Sequence, residues 1–157
     1  MDPEKSSKAI EKIKERFPGD LSEVKSTQVS NAVYRFTFRN SSGSNQKALI
    51  YFELEPETAN IYPRIMDANV AEMAFKLLSD RCPNSDLSLL TITTLKEQHQ
   101  RASKDLTPDI FDWWLQNYSE CYWFKNFKDN EGYSHAAMIC FDRDTDGNIL
   151  DSYIRIG

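Results

Sequence analysis

Residues 121–156, CYWFKNFKDNEGYSHAAMICFDRDTDGNILDSYIRI, decide the fold of this 157-residue chain. Three runs in this stretch are rich in aromatic and β-branched residues and alternate in polarity, which is typical of β-strands. Two polar segments separate the runs, and each contains a glycine of the kind found in tight turns. The stretch therefore predicts a three-strand antiparallel meander at the end of the chain.

Helix signals occur at three places before this meander. Asp2 followed by proline is a typical helix start, and apolar residues recur at helical spacing as far as Phe17. Asn69 and Glu72 form a variant capping box ahead of the widest apolar stripe in the chain. A third helix is predicted to begin at Thr107. The sequence thus predicts about three helices.

Between the first two helices the pattern changes to strands. Residues 33–39 alternate strictly, and residues 48–55 alternate in the same way, so together they predict an antiparallel hairpin with one buried face. On its wetter face the arginines of one strand are expected near the glutamates of the other. Residues 21–30 are ambiguous between a loop and a short strand. Residues 87–95 predict a largely buried strand.

Together these elements predict a single α+β domain covering residues 1–157. Helices and hairpins are segregated along the chain, which favours a largely antiparallel, curved sheet with about three helices, ending in the three-strand meander. The length is sufficient for a hydrophobic core without metals or disulfides. No motif in the sequence identifies a family.

Charge and composition exclude several classes of protein. The formal charge of −5 gives no support to nucleic-acid binding, which requires a dense basic surface. No apolar run approaches the roughly 20 residues that span a bilayer, and the charged N-terminal segment does not resemble a signal peptide. Three cysteines without metal spacing indicate reduced thiols. We therefore expect a cytoplasmic, acidic protein that binds neither nucleic acid nor membrane.

The acidic segment Asp142-x-Asp144-x-Asp146-Gly147 resembles the opening of a calcium-binding EF-hand loop. Its twelfth position is Tyr153, where an EF-hand requires a glutamate, and its flanks alternate like strands rather than helices. Asp-Gly is itself a strong hairpin-turn dipeptide. The pattern favours a plain hairpin turn, with a weak cation site as the alternative.

A catalytic or metal site finds little support in the sequence. If the first turn of the meander is tight, Lys125 lies opposite His135 and Cys121 opposite Ile139, which leaves both meander cysteines without a histidine in reach. The two histidines are far apart and no pattern such as CxxC or HExxH occurs. Glycine-rich phosphate loops are absent too. The sequence predicts no catalytic residue, no metal ligand and no cofactor.

The meander is predicted to be apolar on both faces, which is its most informative property. The same register gives a core face and a second face that is unusually aromatic for a surface exposed to water. The second face is predicted to hold Tyr122, Phe124, Ala136, Met138, Cys140, Tyr153 and Arg155, with Asp142, Asp144 and Asp151 near its end. Such a face calls for a cover, which can be another part of the chain, a partner protein or a small ligand.

Two classes of function follow from this face. The favoured class is a non-enzymatic interaction protein that binds a partner protein or self-associates, in the manner of a chaperone, an inhibitor or an immunity-type factor. The alternative is a small-molecule-binding protein or an enzyme with a pocket under the terminal sheet. In both classes the predicted contact residues are Tyr122, Phe124, Met138, Tyr153 and Arg155.

Overall fold

A computed structural model describes residues 2–54, 60–94 and 117–157. The α+β class and the antiparallel sheets are confirmed. In chain order the elements are α1 (Pro3–Arg16), β1 (Ser22–Ser30), β2 (Val33–Arg39), β3 (Asn45–Leu54), β4 (Ile61–Asp67), α2 (Ala68–Arg81), β5 (Thr91–Thr94), β6 (Glu120–Lys128), β7 (Ser134–Arg143) and β8 (Ile149–Ile156). No helix in these ranges is long and apolar enough to cross a membrane.

The chain divides into two compact units. The first comprises Met1–Glu72 and Leu87–Thr91, and the second comprises Met73–Asp86 and Ile92–Gly157. Each contains one four-stranded sheet, in which the strands follow the order of the chain: β1-β2-β3-β4 and β5-β6-β7-β8. A helix precedes each sheet. The topology is therefore repeated although the sequence shows no repeat, and the single-domain expectation stays a prediction.

The start of α1 follows the predicted capping chemistry. The carboxylate of Asp2 accepts hydrogen bonds from the backbone N–H groups of Glu4 (2.8 Å) and Lys5 (3.1 Å), which have no partner inside the helix. Pro3 occupies the first turn, where its missing N–H costs nothing. The apolar stripe of the helix buries Ala9 and Ile13 completely.

One face of the first sheet forms a core with α1. Alternate residues of β2 and β3 supply its aromatic and aliphatic side chains, and Phe17 packs edge-on against Phe38 at 5.1 Å between ring centroids. The buried residues of this core are Ala9, Ile13, Tyr34, Phe36, Phe38, Ala48, Ile50 and Phe52. Period-two alternation predicted this face correctly.

On the opposite face of the same sheet, Arg35, Thr37 and Arg39 of β2 are exposed, as expected. That face also has a buried part, mainly on β3, so the expectation of a hairpin with one buried face is wrong there. It carries Val33, Leu49, Tyr51, Glu53 and Met66, none of which is more than 2% exposed. The predicted pairing of β2 arginines with Glu53 is wrong as well, because Arg35 lies opposite Leu49. Arg64 of β4 lies beside the Glu53 carboxylate, with 3.7 Å between Nε and Oε2.

The strand β4 runs through Pro63, a residue without a backbone N–H. Proline is tolerated in an edge strand when its missing N–H would have pointed outward. Pro63 lies opposite Phe52, whose N–H donates to Ala32 on the other side of β3 (2.8 Å). Pro63 therefore presents its backbone to the outer edge. There the carbonyl oxygen of Ile61 accepts a hydrogen bond from Lys8 Nζ at 3.4 Å.

Two sequence signals around α2 led to wrong boundaries. The helix begins at Ala68, so Asn69 lies inside it, and its side chain accepts from the N–H of Val70 (3.0 Å) instead of forming a capping box. The strand predicted from residue 87 begins only at Thr91. The residues before it make a turn, closed by a 3.0 Å hydrogen bond from Leu90 N–H to Leu87 O.

Three hairpins share one turn design. In each, an Asn or Asp side chain accepts hydrogen bonds from the N–H groups two and four residues later, and a glycine three residues later adopts a positive φ. Glycine adopts such φ values without steric cost. The turns are residues 40–44, 129–133 and 144–148. An Asx-x-x-Gly pattern therefore specifies all three.

The terminal meander β6-β7-β8 is confirmed. Phe75 of α2 packs edge-on against Phe124 of β6 at 5.8 Å between ring centroids, so α2 contributes to the core of the second unit. The third predicted helix, which starts at Thr107, lies outside the described residues apart from its last positions. His99 also lies outside the described residues.

Candidate functional site

A β-bulge in β6 sets the geometry of the candidate site. Asn126 has a φ of 66° and is skipped in the pairing, so that Lys125 lies opposite Ala136 while Phe127 lies opposite His135. Cys121 lies opposite Cys140. The predicted pairs, Lys125 with His135 and Cys121 with Ile139, are wrong because the prediction assumed an uninterrupted strand.

Relative to the predicted register, the bulge exchanges the two faces of β6. The core face carries Tyr122, Phe124, Phe127, His135, Ala137, Ile139, Phe141, Ile154 and Ile156. The opposite face, called the second face from here on, carries Cys121, Trp123, Lys125, Ala136, Met138, Cys140, Asp142, Asp151, Tyr153 and Arg155. A one-residue shift of register moves every side chain of a strand to the other face.

The five predicted contact residues are consequently divided between the faces. Met138, Tyr153 and Arg155 lie on the second face. Tyr122 and Phe124 lie on the core face, where both are buried. Trp123, which was not among the predicted contact residues, lies on the second face. Asn126 was the signal available for this correction, since asparagine tolerates a positive φ better than most residues.

The second face is ordered in two cross-strand rows. Trp123, Met138 and Arg155 lie side by side on β6, β7 and β8. Cys121, Cys140 and Tyr153 form the neighbouring row.

The centre of this face is buried and its β8 side is exposed. Cys121, Met138 and Cys140 form a small buried cluster against which Tyr118 and Trp123 pack. Tyr153 is 37% exposed, and its ring lies 6.2 Å from that of Tyr118. Arg155 is exposed. The accessible part of the face on β8 thus consists of Asp151, Tyr153 and Arg155 beside a packed apolar centre.

The thiol of Cys140 is poorly suited to nucleophilic chemistry. Its hydrogen bond with the Cys121 thiol and its burial raise the pKa of Cys140 far above the ordinary thiol range. Because the thiolate is the nucleophile, a thiol held in its protonated form reacts slowly.

His135 lies on the other face of the sheet and is engaged there. Its Nε2 lies 2.7 Å from Asp129 Oδ2, its Nδ1 lies 3.2 Å from Gly157 O, and its ring stacks on Phe127. The hydrogen bond with Asp129 raises the pKa of His135, and the same bond lowers the pKa of Asp129. This pair links the β6–β7 turn to the end of β8.

A polar cluster closes one end of the core face. Glu120 and Arg143 make two nitrogen–oxygen contacts of 2.8 Å, and Tyr122 O–H donates to the same carboxylate at 2.9 Å. Paired contacts of this kind are among the stronger charge-assisted interactions. The cluster explains how the buried Tyr122 hydroxyl is accommodated.

The acidic segment forms the third of the shared hairpin turns. Asp144 accepts from the N–H groups of Asp146 and Asn148, each at 2.9 Å, and these bonds lower the pKa of Asp144. Asp142 accepts instead from Ser119 N–H at 3.0 Å. Within the described residues, no three His, Cys, Asp or Glu side chains are grouped to hold a metal ion.

Comparison with known proteins does not assign this chain to a family. No protein-family model, no curated protein and no solved structure matches the chain.

Proposed function

We propose that this chain is a non-enzymatic protein that binds a partner protein through the second face of its terminal sheet. The observation that carries the proposal is the contiguous set Trp123, Met138, Tyr153 and Arg155 on neighbouring strands. Aromatic residues, methionine and arginine are enriched at the centres of protein interfaces, and Trp, Tyr and Arg dominate their binding energy.

The packing beneath these side chains supports the proposal. Met138 is 5% exposed and belongs to the buried cluster against which Trp123 packs. Anchors that are already held in place lose little conformational entropy on binding. Tyr153 and Arg155 remain accessible to a partner on the β8 side.

The state of the candidate nucleophiles supports a non-enzymatic role. Cys140 has a raised pKa and is completely buried. His135 lies on the opposite face, where Asp129 and Gly157 engage its ring nitrogens. Neither arrangement provides a thiolate next to a base.

We further propose that the protein is cytoplasmic. The support is an odd number of cysteines, all of them thiols, with two buried. The net charge of −5 supports a protein partner over a nucleic acid.

Affinity capture with matched variants tests the proposed surface. The immobilised chain is compared with Tyr153→Ser and Arg155→Glu, and bound proteins are quantified by mass spectrometry. Tyr133→Ser is the control, because Tyr133 is 66% exposed but lies in the β6–β7 turn, away from the second face. We expect one stoichiometric partner that the wild type and the control retain and that both second-face variants lose.

Two results would contradict the proposal. One is a partner captured equally well by Tyr153→Ser and Arg155→Glu. The other is the lack of any stoichiometric partner together with thermal stabilisation by a small metabolite, which is the result expected of the alternative, a small-molecule-binding protein.

A further inference from the structure

The strand β8 lies at the outer edge of its sheet in the described part of the chain. Gly157 N–H donates to Ala136 O at 2.9 Å, so residues 153 and 155 also direct their backbone groups toward β7. By alternation, residues 152, 154 and 156 direct theirs outward. The N–H of Ser152 accordingly donates to its neighbour, the Asp151 side chain, at 2.9 Å.

From Asp151 to Ile156 this edge lacks most of the features that prevent sheet edges from pairing, and the one such feature in β8 is a bulge at Leu150, just before this segment. Such features are prolines, lysines, bulges and inward-pointing charges. The β8 sequence, ILDSYIRI, contains neither proline nor lysine, and its pairing with β7 is regular from Asp151 to Ile156. Leu150, the unpaired residue of the bulge, is 67% exposed. The outer edge of β8 is therefore able to accept another strand.

The charges on β8 are arranged symmetrically. Asp151 and Arg155 lie on the second face, two residues before and two after Tyr153. Both are exposed, and neither has an ion-pair partner among the described residues. When two copies of β8 pair antiparallel with Tyr153 at the centre, each Asp151 lies opposite an Arg155. Opposite charges in this position stabilise a strand pair.

The same register satisfies the backbone. It places Ser152 of each copy opposite Ile154 of the other, and these are residues whose N–H and C=O groups point outward. A shift of the centre to Ser152 or Ile154 separates Asp151 from Arg155, so only the Tyr153-centred register fits both charge and hydrogen bonding.

We propose that the partner of this surface is a second copy of the chain, which pairs antiparallel through β8 with Tyr153 on the two-fold axis. The inference rests on the proposed function, because it takes the β8 side of the second face as a protein-binding surface. Both copies use the same strand, so the interface is isologous. Edge pairing buries a small area, and the dimer is expected to dissociate in the range of about 10 µM to 1 mM.

Charge exchange across the two-fold axis tests the register. Asp151→Arg and Arg155→Asp each place like charges opposite one another in both symmetry-related pairs. We expect each variant alone to weaken dimerisation about tenfold or more. An equimolar mixture of the two is expected to dimerise at least as well as the wild type, because every mismatched pair becomes an opposite-charge pair. Sedimentation equilibrium measures all four samples.

Glu131→Arg serves as the control, because it makes the same change of net charge as Asp151→Arg at an exposed turn position outside β8. It is expected to dimerise like the wild type. The mixture controls for folding, since misfolded variants cannot restore each other. Raising the salt concentration is expected to weaken the wild-type dimer by screening the pairs.

Three outcomes overturn the inference: a wild-type protein that stays monomeric at about 1 mM, single variants that dimerise normally, and a mixture that does not recover. A monomeric wild type that still captures a different protein through Tyr153 and Arg155 overturns the dimer alone and leaves the proposed function standing. A normal charge-exchange result with no captured partner supports the dimer as the function of this surface.

Discussion

The two units follow the same order, a helix and then four antiparallel strands, but their edge strands differ. At the edge of the first sheet, β4 contains Pro63, and Lys8 occupies the outward carbonyl oxygen of Ile61. The other edge, β1, has two register irregularities, and its residue Glu23 has a φ of 51°. In the second sheet, β8 has a single irregularity, at Leu150, pairs regularly from Asp151 to Ile156 and has no proline.

This difference indicates that the order of the elements and the ability of an edge strand to pair are determined by different residues. The order of elements follows from hydrophobic periodicity and turn residues, which both units share. Whether an edge can accept a strand depends on one or two residues, such as Pro63 in β4. Function is therefore better sought in what differs between the units than in the fold they share.

The largest expected effect concerns whether the two units unfold together. Phe36→Ala and Phe124→Ala each remove a buried ring from one unit, with exposures of 2% and 0%. Each is expected to cost about 3–5 kcal/mol, through lost burial and the cavity left behind. If the chain is a single cooperative domain, both variants lower the midpoint of one urea transition, followed by far-UV circular dichroism.

Two separate transitions, of which Phe36→Ala shifts only one and Phe124→Ala only the other, would contradict the single-domain expectation. Tyr133→Ser at an exposed turn position is the control, and its effect on stability is expected to lie within about 0.5 kcal/mol.

A smaller effect is expected at the bulge that distinguishes the β6–β7 pairing from the regular β2–β3 pairing. Asn126→Val places a β-branched side chain at a φ of 66° and is expected to destabilise the protein by about 1–2 kcal/mol. Glycine tolerates this backbone conformation. The difference in the free energy of unfolding between the two variants therefore gives the cost of the positive φ for a β-branched residue. Urea denaturation measures both.

Thr37→Val, in the regular strand β2, is the matched control for this prediction and is expected to change stability by no more than about 0.5 kcal/mol. Equal stability of Asn126→Val and Asn126→Gly would show that the positive φ does not fix the register of β6.

The smallest effect is a pH dependence confined to one turn. The turn at residues 129–133 carries the His135–Asp129 pair, whereas the turn at residues 40–44 uses the uncharged Asn40. His135, with a pKa raised above 6.5, contributes stability at low pH that is lost as pH rises through the folded pKa. Asp129, with a pKa lowered below 3.8, contributes stability that is lost as pH falls through its folded pKa. The pair is thus fully effective between about pH 4 and 6.5.

An NMR titration of the His135 ring is expected to give a pKa above 6.5 in the wild type and a lower one in Asp129→Asn. A wild-type value at or below 6.5 would mean that the pair does not form in solution. Asn40→Asp supplies the comparison in the first unit, where no histidine is available and no such dependence is expected.

The sequence allowed prediction of those elements whose signals are local. Asp2 and Pro3 specify the start of α1 through backbone hydrogen bonding alone. The alternation of β2 and β3, and the glycine turns of the meander, depend on residues close together in the chain. The α+β class followed from these.

What escaped prediction depended on distant residues or on single backbone conformations. Pro63 is compatible with a strand only because β4 lies at an edge, and sequence alone does not reveal edges. The bulge at Asn126 moved Trp123 to the second face and Tyr122 to the core face, and one unpaired residue was enough. The buried Glu53 looked like a surface residue because its cation, Arg64, comes from another strand.

The proline in β4 has a consequence for assembly size. Sheets that can add strands at both edges polymerise, and fibre growth is the extreme case. Pro63 offers no donor on its outer side, so the first sheet cannot be extended by a regular ladder there. An isologous contact at β8 uses the same strand in both molecules and leaves no copy of it for a third. Association of this chain through its regular edge therefore stops at two molecules.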